Sequence, residues 1–125
     1  ATFEPWKNKV KIIQKYVSDK TSGQCIALDD YFDDKQTIHF IKADVEGAEG
    51  QVLQGATRLI DRHKNLKIAV CTYHRQEDAA ALESQLKNLG FKTSFSDGYM
   101  LYYYGKTNVV REPYLRKAVL RAVKG

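Results

Sequence analysis

Two near-continuous apolar runs, Ile38–Ala43 and Leu66–Tyr73, each stop at a polar tip, Asp44 and His74. A strand that is apolar along most of its length must be covered on both faces, which parallel sheets with crossover helices achieve. The stretch after each run has the required helical periodicity. Ala48, Val52, Leu53, Ala56, Leu59 and Ile60 fall on one helical face, with Glu49 in the first turn. Ala79, Leu82, Leu86 and Leu89 mark the next helix, whose first turn is acidic (Glu77, Asp78) and whose C′ position suits Gly90. Strand, helix, strand, helix predicts an α/β fold with parallel strands.

The flanks are less regular. Val10–Val17 reads as a strand ended by the polar segment Ser18–Gly23. Cys25–Leu28 is a short extended piece, and Asp29 or Asp30 is expected to cap a brief helical turn through Tyr31 and Phe32. After Gly90, Phe91–Phe95 and Tyr99–Tyr104 flank Ser96-Asp97-Gly98, which predicts a terminal antiparallel hairpin at a sheet edge. The tail Tyr114–Val123 fits helix or strand by periodicity, and helix is the expectation adopted.

At 125 residues, a single domain is expected. With 43% hydrophobic and 28% charged residues, a disordered chain is excluded. No apolar run approaches the ~20 residues of a membrane helix, so no membrane partner is expected. No basic-then-apolar signal segment opens the chain. The single Met is Met100 and the chain opens at Ala1, so an internal piece of a longer polypeptide is expected. The net charge of +5 is dense only in the tail (Arg111, Arg116, Lys117, Arg121, Lys124), and a solvated surface is the expected reading over nucleic-acid binding. Cys25 and Cys71 stand far apart, each in an apolar run. Two buried reduced thiols and a cytoplasmic location are expected, without a disulfide scaffold.

In an open parallel sheet, ligands bind outside the carboxyl ends of the strands. Ser18 and Asp19 end the first strand, Asp44 and Glu46 the second, and Thr72, Tyr73 and His74 the third. Right-handed crossovers set the second and third ends side by side, so Asp44, Glu46 and His74 are expected in one crevice. Three readings stay open. The carboxylates and the imidazole can take a proton from a hydroxyl nucleophile. They can ligate a divalent metal, making a metal-dependent enzyme of Asp44, Glu46 and His74. Or Asp44 and Glu46 only cap the following helix, with Gly47 permitting the tight turn. His39 is expected as a packed or exposed strand residue and His63 at a helix end. Tyr99, Tyr102, Tyr103 and Tyr104 fit an edge strand better than a pocket lining. No Walker loop, GxSxG elbow, HExxH or Gly-rich dinucleotide fingerprint is present.

Ile41-Lys42-Ala43-Asp44-Val45-Glu46-Gly47-Ala48-Glu49, followed by Val52-Leu53-Gln54-Gly55-Ala56, resembles the signature of FkbM-type methyltransferases. Val17-Ser18-Asp19 and Leu28–Phe32 resemble the family's segments upstream, and Thr72-Tyr73-His74 and Ser96–Leu101 those of one subgroup downstream. The resemblance implies a Rossmann-like class I methyltransferase sheet. It also implies S-adenosylmethionine-dependent methylation of a hydroxyl on a sugar or small natural product. By position, it places Asp44 beside the methyl and the substrate, Ser18 and Asp19 toward the cofactor, and Glu46 and His74 toward the acceptor. It assigns no metal ligand.

The chain also departs from that family. No Gly-rich cofactor loop precedes Val10, and only Trp6–Lys9 lie between Pro5 and the first strand. A parallel crossover needs roughly 10–12 residues including its helix. The chain therefore reads as the C-terminal half of such an enzyme, lacking its first two strands, inactive alone and weak in cofactor binding. In the implied strand order 3-2-1-4-5-7-6, that loss bares one edge of the Ile38 strand. Three outcomes are expected: the Val10 strand moves over to pair with it, a second copy covers it as a homodimer, or the edge stays open with a poorly ordered N-terminus. A non-catalytic binding module of the same shape, using the basic tail or the tyrosines, is the alternative function.

Overall fold

The computed structural model describes Pro5 and residues 7–101 and 115–125. The central sheet has four strands. β1 (Tyr16–Val17) and β2 (Cys25–Ile26) stand apart from it as a parallel pair, followed by α1 (Leu28–Tyr31). β3 (Phe40–Ala43) enters the sheet and leads to α2 (Glu49–Gln54) and α3 (Thr57–Arg62). β4 (Lys67–Cys71) pairs parallel to β3, and α4 (Asp78–Asn88) follows. β5 (Phe91–Phe95), β6 (Met100–Leu101), β7 (Leu115–Arg116) and β8 (Val119–Lys124) complete the order. The sheet runs β3-β4-β8-β5, with β8 antiparallel to both neighbours. That matches the last four places, 4-5-7-6, of the strand order the resemblance implies. The fold is mixed α/β, parallel only between β3 and β4 within this sheet.

Several expectations are corrected. The tail is a strand rather than a helix. Leu120 and Ala122 are buried while Arg121 and Val123 are exposed, a period of two that suits a strand hydrogen-bonded on both sides. The expected hairpin does not form among the described residues. β5 pairs with β8, and Met100–Leu101 pair with Leu115–Arg116. Tyr102–Tyr104 lie outside the described residues. Of the strand expected over Val10–Val17, only Tyr16 and Val17 hold a ladder; residues 10–15 are exposed and pair with no strand among the described residues. The long helical face over 48–60 is two short helices broken at Gly55 and Ala56, yet all its apolar residues from Val52 onward remain buried. Gly90 does take the C′ place of α4, at φ 84°.

The core is the layer where α2, α3 and α4 cover the sheet. Leu53, Leu59, Ile60, Leu66, Val70, Leu86 and Leu120 are fully buried there. The N-terminal segment joins this core along a seam. Asp29 does not cap its own helix, whose N-cap is Ala27 without a side-chain bond. Its carboxylate instead accepts the N–H groups of Leu59 (2.8 Å) and Arg58 (3.0 Å), orphan donors in the first turn of α3. Its own N–H donates to the Gly55 carbonyl at 2.8 Å. Gly55 is required by proximity: a Cβ there would collide with the Ser18 carbonyl and lie 3.1 Å from the Asp19 Cα. His63 ties the other end. Its Nε2 accepts the Ile38 N–H at 3.0 Å while Nδ1 lies 2.7 Å from the Leu59 carbonyl. His39 is exposed.

β1 does not move across to β3, which removes the first of the three expected outcomes. Among the described residues the outer edge of β3 carries no strand. An apolar groove lined by Val17, Leu28, Phe32, Phe40 and Ile41 lies there, and Phe40 is 57% exposed. Cys71 is buried as expected, whereas Cys25 is half-buried; both are free. No helix among the described residues is long and apolar enough to cross a membrane.

Candidate active site

The tip of β3 is shaped by a tight turn. The Ala48 N–H donates to the Val45 carbonyl at 3.2 Å, and both central residues have positive φ, Glu46 at 55° and Gly47 at 93°. Gly47 meets this without strain, and a Cβ on it would press within 3.1 Å of the Arg75 guanidinium. Glu46 takes the left-handed conformation without glycine's freedom, a cost that recurs at functional sites. The turn sends its carboxylate into solvent, 92% exposed.

The tip of β4 is fastened by the tail. Buried Thr72 donates its hydroxyl to the Lys117 carbonyl (2.7 Å) and its N–H to that of Ala118 (2.9 Å). Arg116 Nη1 donates to the carbonyls of Tyr73 (2.8 Å) and His74 (3.0 Å). His74 is thereby held over β3. Its Nε2 lies 3.0 Å from Asp44 Oδ1 and 3.3 Å from Glu49 Oε1, and its Nδ1 lies 3.7 Å from Glu46 Oε2. The Tyr73 hydroxyl lies 3.1 and 3.2 Å from the two Asp44 oxygens.

These contacts set the electrostatics. Burial alone would raise the Asp44 carboxyl, but hydrogen bonds from His74, Tyr73 and Cys71 outweigh it and hold the group below the usual carboxylate range. Tyr73 is pushed well up, first by burial and then by the hydrogen bond its hydroxyl donates to Asp44. Cys71, beneath them, is raised by burial and by the Asp44 charge, so its thiol stays protonated and inert.

The structure therefore brings Asp44, Glu46 and His74 together, with Glu46 at the rim. Ser18 and Asp19 lie apart, at the seam against Gly55, where the Ser18 hydroxyl donates to Asp19 Oδ1 at 3.0 Å. Sequence reasoning gave Glu49 only a dipole role. It is 1% exposed, its Oε1 accepts the Val45 N–H at 2.9 Å, and its Oε2 is buried without a partner. An unsatisfied buried oxygen of this kind costs about 1–3 kcal/mol. Nor was the clamp by Arg116 foreseen. Its only sequence signal is an arginine three places before a β-rich run that begins at Val119.

The model of the methyltransferase FkbM domain matches residues 6–93, which include every residue of the cluster. The chain belongs to the FkbM methyltransferase family. A crystal structure of a methyltransferase FkbM from Methylobacillus flagellatus KT has the same fold, with a TM-score of 0.67 at 21% identity over 97% of this chain. The chain spans 31% of the length of that relative. No curated protein matches it.

Proposed function

We propose that this chain carries the acceptor side of an S-adenosylmethionine-dependent O-methyltransferase site, acting on a hydroxyl of a sugar or small natural product. The observation that carries the reading is the 3.0 Å contact between Asp44 and His74 at neighbouring strand tips, within a methyltransferase family. The donor set suits a cationic cofactor. Three carboxylates, Asp44, Glu46 and Glu49, lie within 3.7 Å of one imidazole in a chain of net charge +5. When bound, S-adenosylmethionine supplies an electrophilic methyl group.

The chain's own residues serve the acceptor. An oxygen that gains a methyl group must lose its proton, and the Asp44–His74 cluster is where that proton is drawn away. Tyr73 fixes the Asp44 oxygens, and Arg116 fixes the His74 backbone, so the cluster is oriented before substrate arrives. Ser18 and Asp19 face the cofactor from the seam. The sequence contains no Gly-rich cofactor loop, so the chain by itself binds S-adenosylmethionine weakly and turns over little.

An NMR titration of the chain with S-adenosylmethionine tests this. The reading predicts millimolar binding, with shift changes at Asp44–Gly47 and at Ser18 and Asp19, diminished in Asp44→Asn. Changes confined to the basic strand β8, or tight binding indifferent to Asp44→Asn, would contradict it.

A further inference from the structure

We infer that Asp44, Glu49 and His74 form a binding site for one divalent first-row transition-metal ion. One potential ligand atom from each lies within 4.8 Å of the other two. The two separations that involve the imidazole are tighter, 3.0 Å from Asp44 Oδ1 to His74 Nε2 and 3.3 Å from Glu49 Oε1 to the same nitrogen. Metal–ligand bonds of about 2.1 Å place adjacent ligands of an octahedron about 3 Å apart, and those of a tetrahedron slightly farther. The imidazole nitrogen thus already sits at the spacing of a neighbour to each carboxylate around one ion, and the two carboxylates lie within 4.8 Å of each other.

A second observation is independent of that spacing. Glu49 is 1% exposed, and its Oε2 is buried with no hydrogen-bond partner while Oε1 already accepts the Val45 N–H. The orphan oxygen belongs to the carboxylate whose other oxygen lies 3.3 Å from His74 Nε2, and a cation held by that carboxylate would supply a partner. The ion pairs that Asp44, Glu46 and Glu49 make among the described residues are all with His74. One imidazole does not balance three carboxylates, and a divalent ion would.

The ligand set also selects the ion. Two carboxylates with an imidazole favour manganese, iron, cobalt or zinc over magnesium or calcium, which prefer oxygen throughout. The site is open on one side. The Glu49 side chain is buried and that of His74 nearly so, but the Asp44 side chain is 41% exposed, which leaves coordination positions to water or to a hydroxyl. The binding claim rests on this geometry alone. Its consequence, that a coordinated hydroxyl gives up its proton more readily, rests on the methyl-transfer reading.

Electron paramagnetic resonance of the metal-free chain titrated with Mn²⁺, without S-adenosylmethionine, is the test. One equivalent of Mn²⁺ should lose its free six-line signal. The bound ion should show nitrogen coupling that changes with ¹⁵N-histidine labelling. The coupling should vanish in His74→Gln and persist in His39→Gln, and Glu49→Gln should weaken binding by about tenfold or more. The wild-type measurement decides even if a variant misfolds. A free signal unchanged at millimolar Mn²⁺, bound Mn²⁺ without nitrogen coupling, or coupling that survives His74→Gln would overturn the inference. S-adenosylmethionine binding that persists in such a case would leave the methyl-transfer reading standing.

Discussion

The four-stranded sheet and the N-terminal segment place their apolar side chains very differently. In the sheet, Ile68, Val70, Leu120 and Ala122 disappear beneath α2, α3 and α4, each at most 1% exposed. In the N-terminal segment, Val10 is 44%, Ile12 73% and Tyr16 75% exposed. One region completes its own core, while the other presents apolar groups to solvent. The candidate site stands on the first. Asp44, Glu49 and His74 rise from β3, α2 and the end of β4, and β7 clamps the last of these. A site that must hold groups within tenths of an ångström gains from that rigidity.

The largest effect that can break this comparison comes from the core. Leu53→Ala removes a fully buried side chain at the centre of the sheet–helix layer and should cost about 2–5 kcal/mol. Ile12→Ala, in the exposed segment, should change stability by less than about 0.5 kcal/mol. Urea unfolding measures both, and similar losses would erase the distinction. The seam comes next. Gly55→Ala drives a methyl into the Ser18 carbonyl and should cost about 1–3 kcal/mol, with amide shifts at Ser18 and Asp19 larger than those at Asp44. Asp29→Ala strips two N–H groups of α3 of their acceptor and should cost about 1–2 kcal/mol. A negligible loss would mean that the N-terminal segment is not fastened there.

The smallest effect lies where α4 meets the edge strand β5. Lys87, 2.9 Å away, holds the Glu83 carboxyl below its usual range; partial burial opposes this and Thr93 assists. A depressed folded value means that the contribution is complete above the unfolded value near 4.5 and is lost as pH falls through the lower folded one. Glu83→Gln should therefore cost a few tenths of a kcal/mol at neutral pH and nothing in strong acid, as read from urea midpoints across pH.

What could be read from residues alone divides along physical lines. β3 and β4 were legible because their apolar runs stand out from the polar segments around them, although Phe40 and Lys42 of β3 are exposed rather than covered, and their tips because an apolar run ends abruptly at Asp44 and His74. The break at Gly55 was not, since burial continues across it with unchanged periodicity. β8 was missed because its two neighbours, β4 and β5, are distant in sequence, and Ala118-Val119-Leu120 masks the alternation that follows. Asp29 was assigned to the wrong helix for the same reason: its partners lie about thirty positions on. Glu49 shows the limit most clearly. Its place in the first turn of a helix was visible, but its burial beneath His74 is a product of β4 packing against β3.

The account depends on His74 being held against Asp44 by a rigid sheet. Long-range proton–nitrogen NMR of the metal-free chain reports this contact directly. We expect His74 to show a single tautomer with its Nε2 proton in a hydrogen bond, shifted by Asp44→Asn while the His39 and His63 signals stay in place. A His74 that averages between tautomers and ignores Asp44→Asn would show that the two strand tips do not form one site.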